Sequence, residues 1–241
     1  MKSQRAKKRN NFGKVLGFFL VGVALIGGSF FIFGYFRHNI YPPVEYNSNS
    51  VPALAATVIS EKPKTMHLST PEPLKAIYMS QCVVGTKDFR ERLVAQIERT
   101  ELNALVIDIK DYSGTISFKP VNETLLPAWK AAKCGATDMK EFLENLHKKN
   151  IYVIGRITVF QDPLMSKSRP DLAVKKLSDG SVWKDYKGLS FIDVGAREHW
   201  EYIVELSKES YEMGFDEINY DYIRFPSDGN MKDIEFTLSH G

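Results

Sequence analysis

Glu217, Asn219 and Asp221 stand two residues apart in the largely apolar run 217–223. In an extended strand that spacing puts all three side chains on one face. An ionised carboxylate buried without a partner is costly, so this face must be hydrogen-bonded or open to solvent. Asp221 therefore either contacts an arginine or meets a substrate, where a carboxylate can act as nucleophile or base. The competing reading is a structural Asp–Arg pair, with Arg156 or Arg224, that ties neighbouring strands together. A second polar group closes the run 104–109: Asp108 and Lys110 project to one side and Asp111 to the other. Asp108 and Lys110 could form a satisfied ion pair at a strand end. They could equally bind substrate hydroxyls, or hold Asp221 ionised, since a nearby ammonium lowers a carboxylate pKa. Arg156, in the run 151–157, carries the same ambiguity.

Tyr112, Trp183, Tyr186 and Tyr220 offer flat rings that either stack on a ligand such as a sugar or cover the core. His147, on a lysine-rich helix end, reads as solvated, and His199 as capping or decorating its helix; neither has metal-ligand spacing. There is no Gly-x-Ser-x-Gly elbow, no Cys/His catalytic arrangement and no glycine-rich phosphate loop. The sequence thus predicts no metal and no cofactor.

These residues need a scaffold, and the apolar periodicity supplies one. Residues 76–79 read as a short buried strand, and 104–109 as a strand covered on both faces, as in a parallel sheet. Asp88 and Glu91 form a capping-box pattern ahead of the stripe Phe89, Leu93, Val94 and Ile97. Asp138 and Glu141 cap a helix whose Met139, Phe142, Leu143 and Leu146 follow helical spacing, with Lys148 and Lys149 at its C-terminal end. Residues 151–157 form the third strand. A long connection with Pro163, Pro170 and Asp179-Gly180 follows it. A helix over about 197–213 carries Trp200, Ile203, Val204 and Leu206 and stops at Gly214, before the fourth strand at 217–223.

Strand and helix alternating without hairpin signals predict right-handed βαβ units and a parallel sheet. Polar residues at the C-terminal ends of several strands are the mark of a barrel that builds its site there. The expected fold class is α/β, the N-terminal half of a (β/α)8 TIM-type barrel. A full barrel takes about 250 residues, whereas residues 74–241 hold about 170, enough for four units. The expectation is an incomplete chain, with a half-barrel that completes itself by dimerising as the alternative.

Ahead of that domain, residues 15–36 contain no charged side chain. As a helix of ~33 Å they would cross a ~30 Å hydrocarbon core. Lys2, Arg5, Lys7, Lys8, Arg9 and Lys14 precede the run and Arg37 follows it, which predicts a cytoplasmic N-terminus. The organisation read is a basic cytoplasmic tail at 1–14, a transmembrane anchor at 15–36 contacting membrane lipid, a linker at 37–73, and the partial barrel at 74–241. A cleavable signal peptide is the competing reading, but its apolar core would be shorter. The net charge of +3 comes largely from the basic tail, and both signs mix elsewhere, so no nucleic-acid partner is expected. Cys82 and Cys134 are the two cysteines. In an exported domain they either form a disulfide or stay as two buried thiols.

Residues 75–80, 103–111 with Gly114, 154–157 with 160–162, 191–194 and above all 215–226 resemble a bacterial family of glycoside hydrolases that carries a domain of unknown function. The resemblance implies a (β/α)8 barrel distantly related to the alpha-amylase-like hydrolases. It places the nucleophilic aspartate, which ends the fourth strand in those enzymes, on Asp221. Their general acid follows the fifth strand, beyond this sequence. The resulting expectation is a membrane-anchored glycoside hydrolase acting on a polysaccharide outside the cytoplasmic membrane. Asp221 is its nucleophile or base, Asp108 and Arg156 shape the site, and Asp111 and Trp183 contact sugar. Lys110, Asn219 and Arg224 complete the substrate-binding set. A membrane-tethered glycan-binding or scaffolding protein without catalysis is the second reading, and a nonfunctional fragment with exposed strand edges the third.

Overall fold

The four apolar runs pair side by side in chain order. The structure, a computed structural model, describes residues 65–239. The strands are β1 (Ala76–Met79), β2 (Ala104–Lys110), β3 (Tyr152–Thr158) and β4 (Glu217–Asp221), every neighbouring pair parallel, in the order β1-β2-β3-β4. That order is what successive βα units produce. Helices α1 (Gln81–Val84) and α2 (Lys87–Ile97) follow β1, and α3 (Leu126–Lys130) and α4 (Met139–Lys148) follow β2. Helix α5 (Pro163–Ser168) follows β3, and α6 (Arg197–Met213) leads into β4.

The main core lies between the sheet and its helices. Leu105, Ile107 and Ile109 of β2 and Val153 and Ile157 of β3 are buried with Leu143 and Leu146 of α4 and Ile203 and Leu206 of α6. Each such side chain contributes roughly 1.5–3 kcal/mol by leaving water. The other sheet face carries a smaller cluster of Ala104, Tyr152 and Ile154, with Val106 and Leu68 packed on it. Gly155 lets the layers meet: a Cβ there would land on Ile109 Cδ1 and press on Phe215. A glycine inside a strand commonly marks such a close approach.

Several local expectations need correction. Helix α2 begins at Lys87, one residue ahead of the expected cap, and neither it nor α4 has a side-chain cap bond. Asp138 does precede α4, but its carboxylate is taken by the buried Arg90 of α2, whose Nη1 donates at 2.8 Å. A charged fork is a stronger partner than a backbone amide. His147 is buried rather than solvated, with Nε2 3.1 Å from Asp216 Oδ2. On α6 the buried stripe is His199, Ile203, Leu206 and Ser210. Trp200 and Val204 are therefore exposed, each about 100° further round the axis.

The long connection after β3 is folded rather than loose. Antiparallel bridges join Gln161 to Phe191, Ala173 to Ile192 and Lys175 to Val182, and Lys175 also pairs with Glu235. Gly180, at a φ of 69°, turns the chain back on itself. The expectation that hairpin pairing is absent fails in this segment.

The expected anchor at 15–36 and most of the linker lie outside the described residues. Among the described residues no helix is long and apolar enough to cross a membrane. Residues 65–70, expected as linker, pack on the domain instead. Leu68 N donates to Asp216 Oδ1 at 2.7 Å, and Thr65 Oγ1 to the Glu212 carbonyl at 2.9 Å.

The open question of the cysteines resolves as a disulfide between Cys82 of α1 and Cys134, with a Cα separation of 5.0 Å. Closing a loop of 52 residues restrains the unfolded chain. A Cys82→Ser/Cys134→Ser chain should lose about 4 kcal/mol of unfolding free energy by urea denaturation. A loss below about 1 kcal/mol would mean the bond closes no costly loop.

Candidate active site

Arg156 lies in β3, in register with Asp108 of β2 on one side and Asn219 of β4 on the other. Its guanidinium spreads across all three strands. Nη1 donates to Asp108 Oδ1 at 2.7 Å, and Nε to Asp221 Oδ2 at 2.8 Å. Nη2 also reaches that Asp221 oxygen at 2.8 Å. The hydroxyl of Tyr78, from β1, donates to the second Asp108 oxygen. One connected array, Tyr78–Asp108–Arg156–Asp221, thus crosses the C-terminal ends of all four strands.

The two carboxylates of the array sit in different surroundings. The Asp108 side chain is 4% exposed and that of Asp221 44%. Burial raises the Asp108 pKa and outweighs the hydrogen bonds from Tyr78 and Arg156. At Asp221 burial also pulls upward, but the Tyr222 amide, Arg156 and Arg224 together outweigh it and hold the carboxyl below its usual range. The expected alternatives for Asp221 coexist: it pairs with Arg156 and still keeps solvent access.

Beside the array opens a groove of about 700 Å³ lined by Tyr78, Asp108, Asp111, Arg156, Tyr222 and Arg224, among others. Asp221 is not itself part of that lining but is bonded to Arg156 and the Tyr222 amide, both residues of it. Asp111 Oδ1 accepts the Ser113 amide at 2.9 Å, and Arg224 Nη1 donates to Ser227 Oγ at 2.9 Å.

Three residues expected to bind substrate lie elsewhere. Lys110 is fully buried: Nζ is 2.9 Å from Asp162 Oδ2 and donates to the Thr158 carbonyl at 2.6 Å. The reason is a register irregularity between Asp108 and Lys110, which breaks the alternation of β2 and parts the two residues. Trp183 is 1% exposed, packed with Val174 and Phe191, and its indole donates to the Asn230 carbonyl at 3.1 Å. A ring so enclosed has no face for a sugar. Asn219 is exposed on β4 and is not part of the groove lining.

Tyr78 and Tyr222 are among the groove residues the sequence reading passed over, as are Gln81, Gln161, Asp185 and Asp228. Tyr78 had a signal, because it sits near the C-terminal end of β1, where barrel sites gather. Tyr222 had none, since its place depends on a backbone turn invisible to periodicity.

His199 is fully buried on α6 and donates Nε2–H to the Val159 carbonyl at 2.9 Å. Burial, reinforced by the charge of Lys110 and only partly offset by Asp162, lowers its pKa to about 4. Between pH 6.5 and about 4 the unfolded chain takes up a proton that the folded chain refuses. Stability should therefore fall across that window by up to about 3 kcal/mol and level off below it. Thermal unfolding against pH should show this slope, and His199→Gln should flatten it. A Lys110→Met chain leaves Asp162 as an unpaired buried charge and should lose about 3–5 kcal/mol in urea denaturation. Adding Asp162→Asn should restore part of it; no restoration would mean the two do not act as a pair.

The family described as "Putative glycosyl hydrolase domain" matches residues 76–241. No curated protein matches the chain. Among solved structures, a hypothetical protein from Ruminiclostridium thermocellum ATCC 27405 is 36% identical at a TM-score of 0.57, the alignment covering 67% of this chain and 82% of that one. The noncanonic maltogenic alpha-amylase AmyB from Thermotoga neapolitana is 15% identical at a TM-score of 0.47, covering 66% of this chain and 41% of its own. Alpha-L-fucosidase isoenzyme 2 from Paenibacillus thiaminolyticus is 13% identical at 0.47, covering 66% and 24%. This chain thus spans under half the length of the amylase and about a quarter of the fucosidase. With the match running from β1 through β4 and the residues beyond, the chain belongs to that glycosyl hydrolase domain family.

Proposed function

We propose that this protein is a membrane-anchored glycoside hydrolase that cleaves a polysaccharide outside the cytoplasmic membrane, with Asp221 as nucleophile or base. The observation that carries the reading is the Arg156-centred array at the C-terminal ends of the strands, beside an open groove. Glycosidic cleavage works through paired carboxyl groups and a positively charged sugar-like transition state. Asp221, ionised at neutral pH and partly exposed, is suited to attack or to stabilise that charge. Arg156 and the Tyr222 amide hold its two oxygens in a set orientation. Asp108, buried and tied to Tyr78, positions Arg156 from the other side. Asp111 and Arg224 line the groove and can bond sugar hydroxyls, and the exposed rings of Tyr112 and Tyr186 offer stacking faces.

The location rests on two supports. The uncharged run 15–36 follows a basic tail, the pattern of an anchor with its N-terminus in the cytoplasm. The Cys82–Cys134 disulfide suits an oxidising compartment.

A second reading, a tethered glycan-binding protein without catalysis, is favoured by one observation: both Asp221 oxygens already accept hydrogen bonds within the protein. One experiment separates the two. The full chain in detergent is assayed for release of reducing ends from a panel of envelope and exopolymer polysaccharides, and for binding to the same panel. Asp221→Asn should cut hydrolysis by about 10²–10⁴-fold while binding persists. Undiminished turnover would remove Asp221 from the mechanism. Binding without turnover in the unaltered chain would support the second reading.

A further inference from the structure

We propose that Tyr78 is a positioning residue: its hydroxyl secures the second oxygen of Asp108, the buried carboxylate that anchors Arg156, and so keeps the guanidinium spread between β2 and β4. The proposal rests on the reading of Asp221 as nucleophile or base, because Arg156 is bonded to that carboxylate.

The register of the sheet lets a residue of β1 reach this far. Tyr78 pairs with Val106 of β2, and Asp108 stands two residues further along the same strand. Alternation puts Val106 and Asp108 on one face, so a side chain of tyrosine length runs diagonally from β1 to the carboxylate. The Tyr78 hydroxyl donates to Asp108 Oδ2, while Arg156 Nη1 holds Oδ1 at 2.7 Å. Each oxygen of Asp108 thus has one donor. The side chain is 4% exposed, and a carboxylate so enclosed stays ionised only where donors meet it. Burial raises the Asp108 pKa, and the hydrogen bonds from Tyr78 and Arg156 oppose that rise. The other charges around it are Asp111, just beyond β2, which pushes it further up, and Asp221 on the far side of Arg156.

The Tyr78 ring lines the groove and is half exposed, so it could also serve as a face for a sugar. The hydroxyl separates the two roles, because it is committed to Asp108 rather than to the groove. If Asp108 takes up a proton, Arg156 loses one of its two counter-charges and is left to Asp221 alone. The Asp108 pKa is raised and that of Asp221 lowered, so acidification protonates the anchor before the nucleophile. The acid limb of activity then reports Asp108, and the Tyr78 hydroxyl sets where that limb falls.

The test is Tyr78→Phe in the full chain, which keeps the ring and removes only the hydroxyl. The readouts are the titration of the Asp108 carboxyl, followed by carbon-13 NMR of labelled aspartate, and the pH–rate profile. A hydrogen bond to the charged form favours that form, so the Asp108 titration should move up by about one pH unit. The acid limb of kcat should move up with it, and the rate should recover as the pH rises past the shifted titration. KM should change by less than about twofold, because the face offered to a sugar remains. In an Asp108→Asn background the same substitution should alter kcat by less than about twofold, since its target is already gone. An Asp108 titration that stays in place, as when water takes over from the hydroxyl, would overturn the proposal. So would a raised KM with the acid limb unmoved, the outcome for a hydroxyl that only contacts substrate. Should the Asp108→Asn chain fail to fold, the titration and the acid limb decide between them. A shifted titration in a chain that hydrolyses nothing would uphold the hold of Tyr78 on Asp108 and reject the hydrolase reading.

Discussion

The guanidinium of Arg156 is the interaction on which the arrangement turns. An arginine inside a strand is tolerated only if its charge is met on both sides, and here carboxylates from β2 and from the end of β4 meet it. The geometry demands a fixed register. Asp108 stands opposite Arg156, and Asp221 stands opposite Thr158, two residues further along β3 and on the same face. A slip of one residue would turn Arg156 to the helix-covered side, into the apolar core. That core resists the slip, because Gly155 admits Ile109 and Phe215 at a point where a larger residue would not fit.

The same chemistry serves two purposes within a few residues. Lys110 and Asp162 are 0% and 1% exposed, and their pair also engages the carbonyl end of β3 through Thr158. Asp162 Oδ1 accepts the Met165 amide at 2.7 Å and so starts α5, linking the buried pair to the fold of the long connection. Sealed from solvent, these charges have no ligand to meet and act as architecture. Arg156 and Asp221 keep solvent access, with side chains 21% and 44% exposed. Exposure, rather than residue type, separates these two sets of charges.

The opposite end of the sheet is closed by a different carboxylate. The Asp216 side chain is fully buried and accepts the amides of Leu68 and Val153, with His147 beside it. Its charge is spread over backbone donors and a ring nitrogen rather than a guanidinium, the usual way to keep a buried carboxylate satisfied. Segment 65–70 is fastened there, near the start of β3 and β4. The arriving chain therefore docks at one end of the strands and the groove opens at the other.

Much of this scaffold was legible in the sequence because burial periodicity is local. The runs at 76–79, 104–109, 151–157 and 217–223 each declare a strand, and Met139, Phe142, Leu143 and Leu146 declare a helix face, without reference to anything distant. The gathering of Asp108, Arg156 and Asp221 at strand ends followed from the parallel order those strands imply. Partner choice was not legible. Lys110 was grouped with Asp108 by alternation, but an irregular step in β2 sent it to Asp162, 52 positions away. Asp138 resembled a cap until Arg90 of another helix claimed it, and Trp183 looked available until a segment near the C-terminus covered it. Residue order along the chain settled which elements form and which ends are polar. Tertiary structure alone decided which charge meets which, what stays wet, and where the backbone bends at Tyr222, because these depend on groups brought together from far apart.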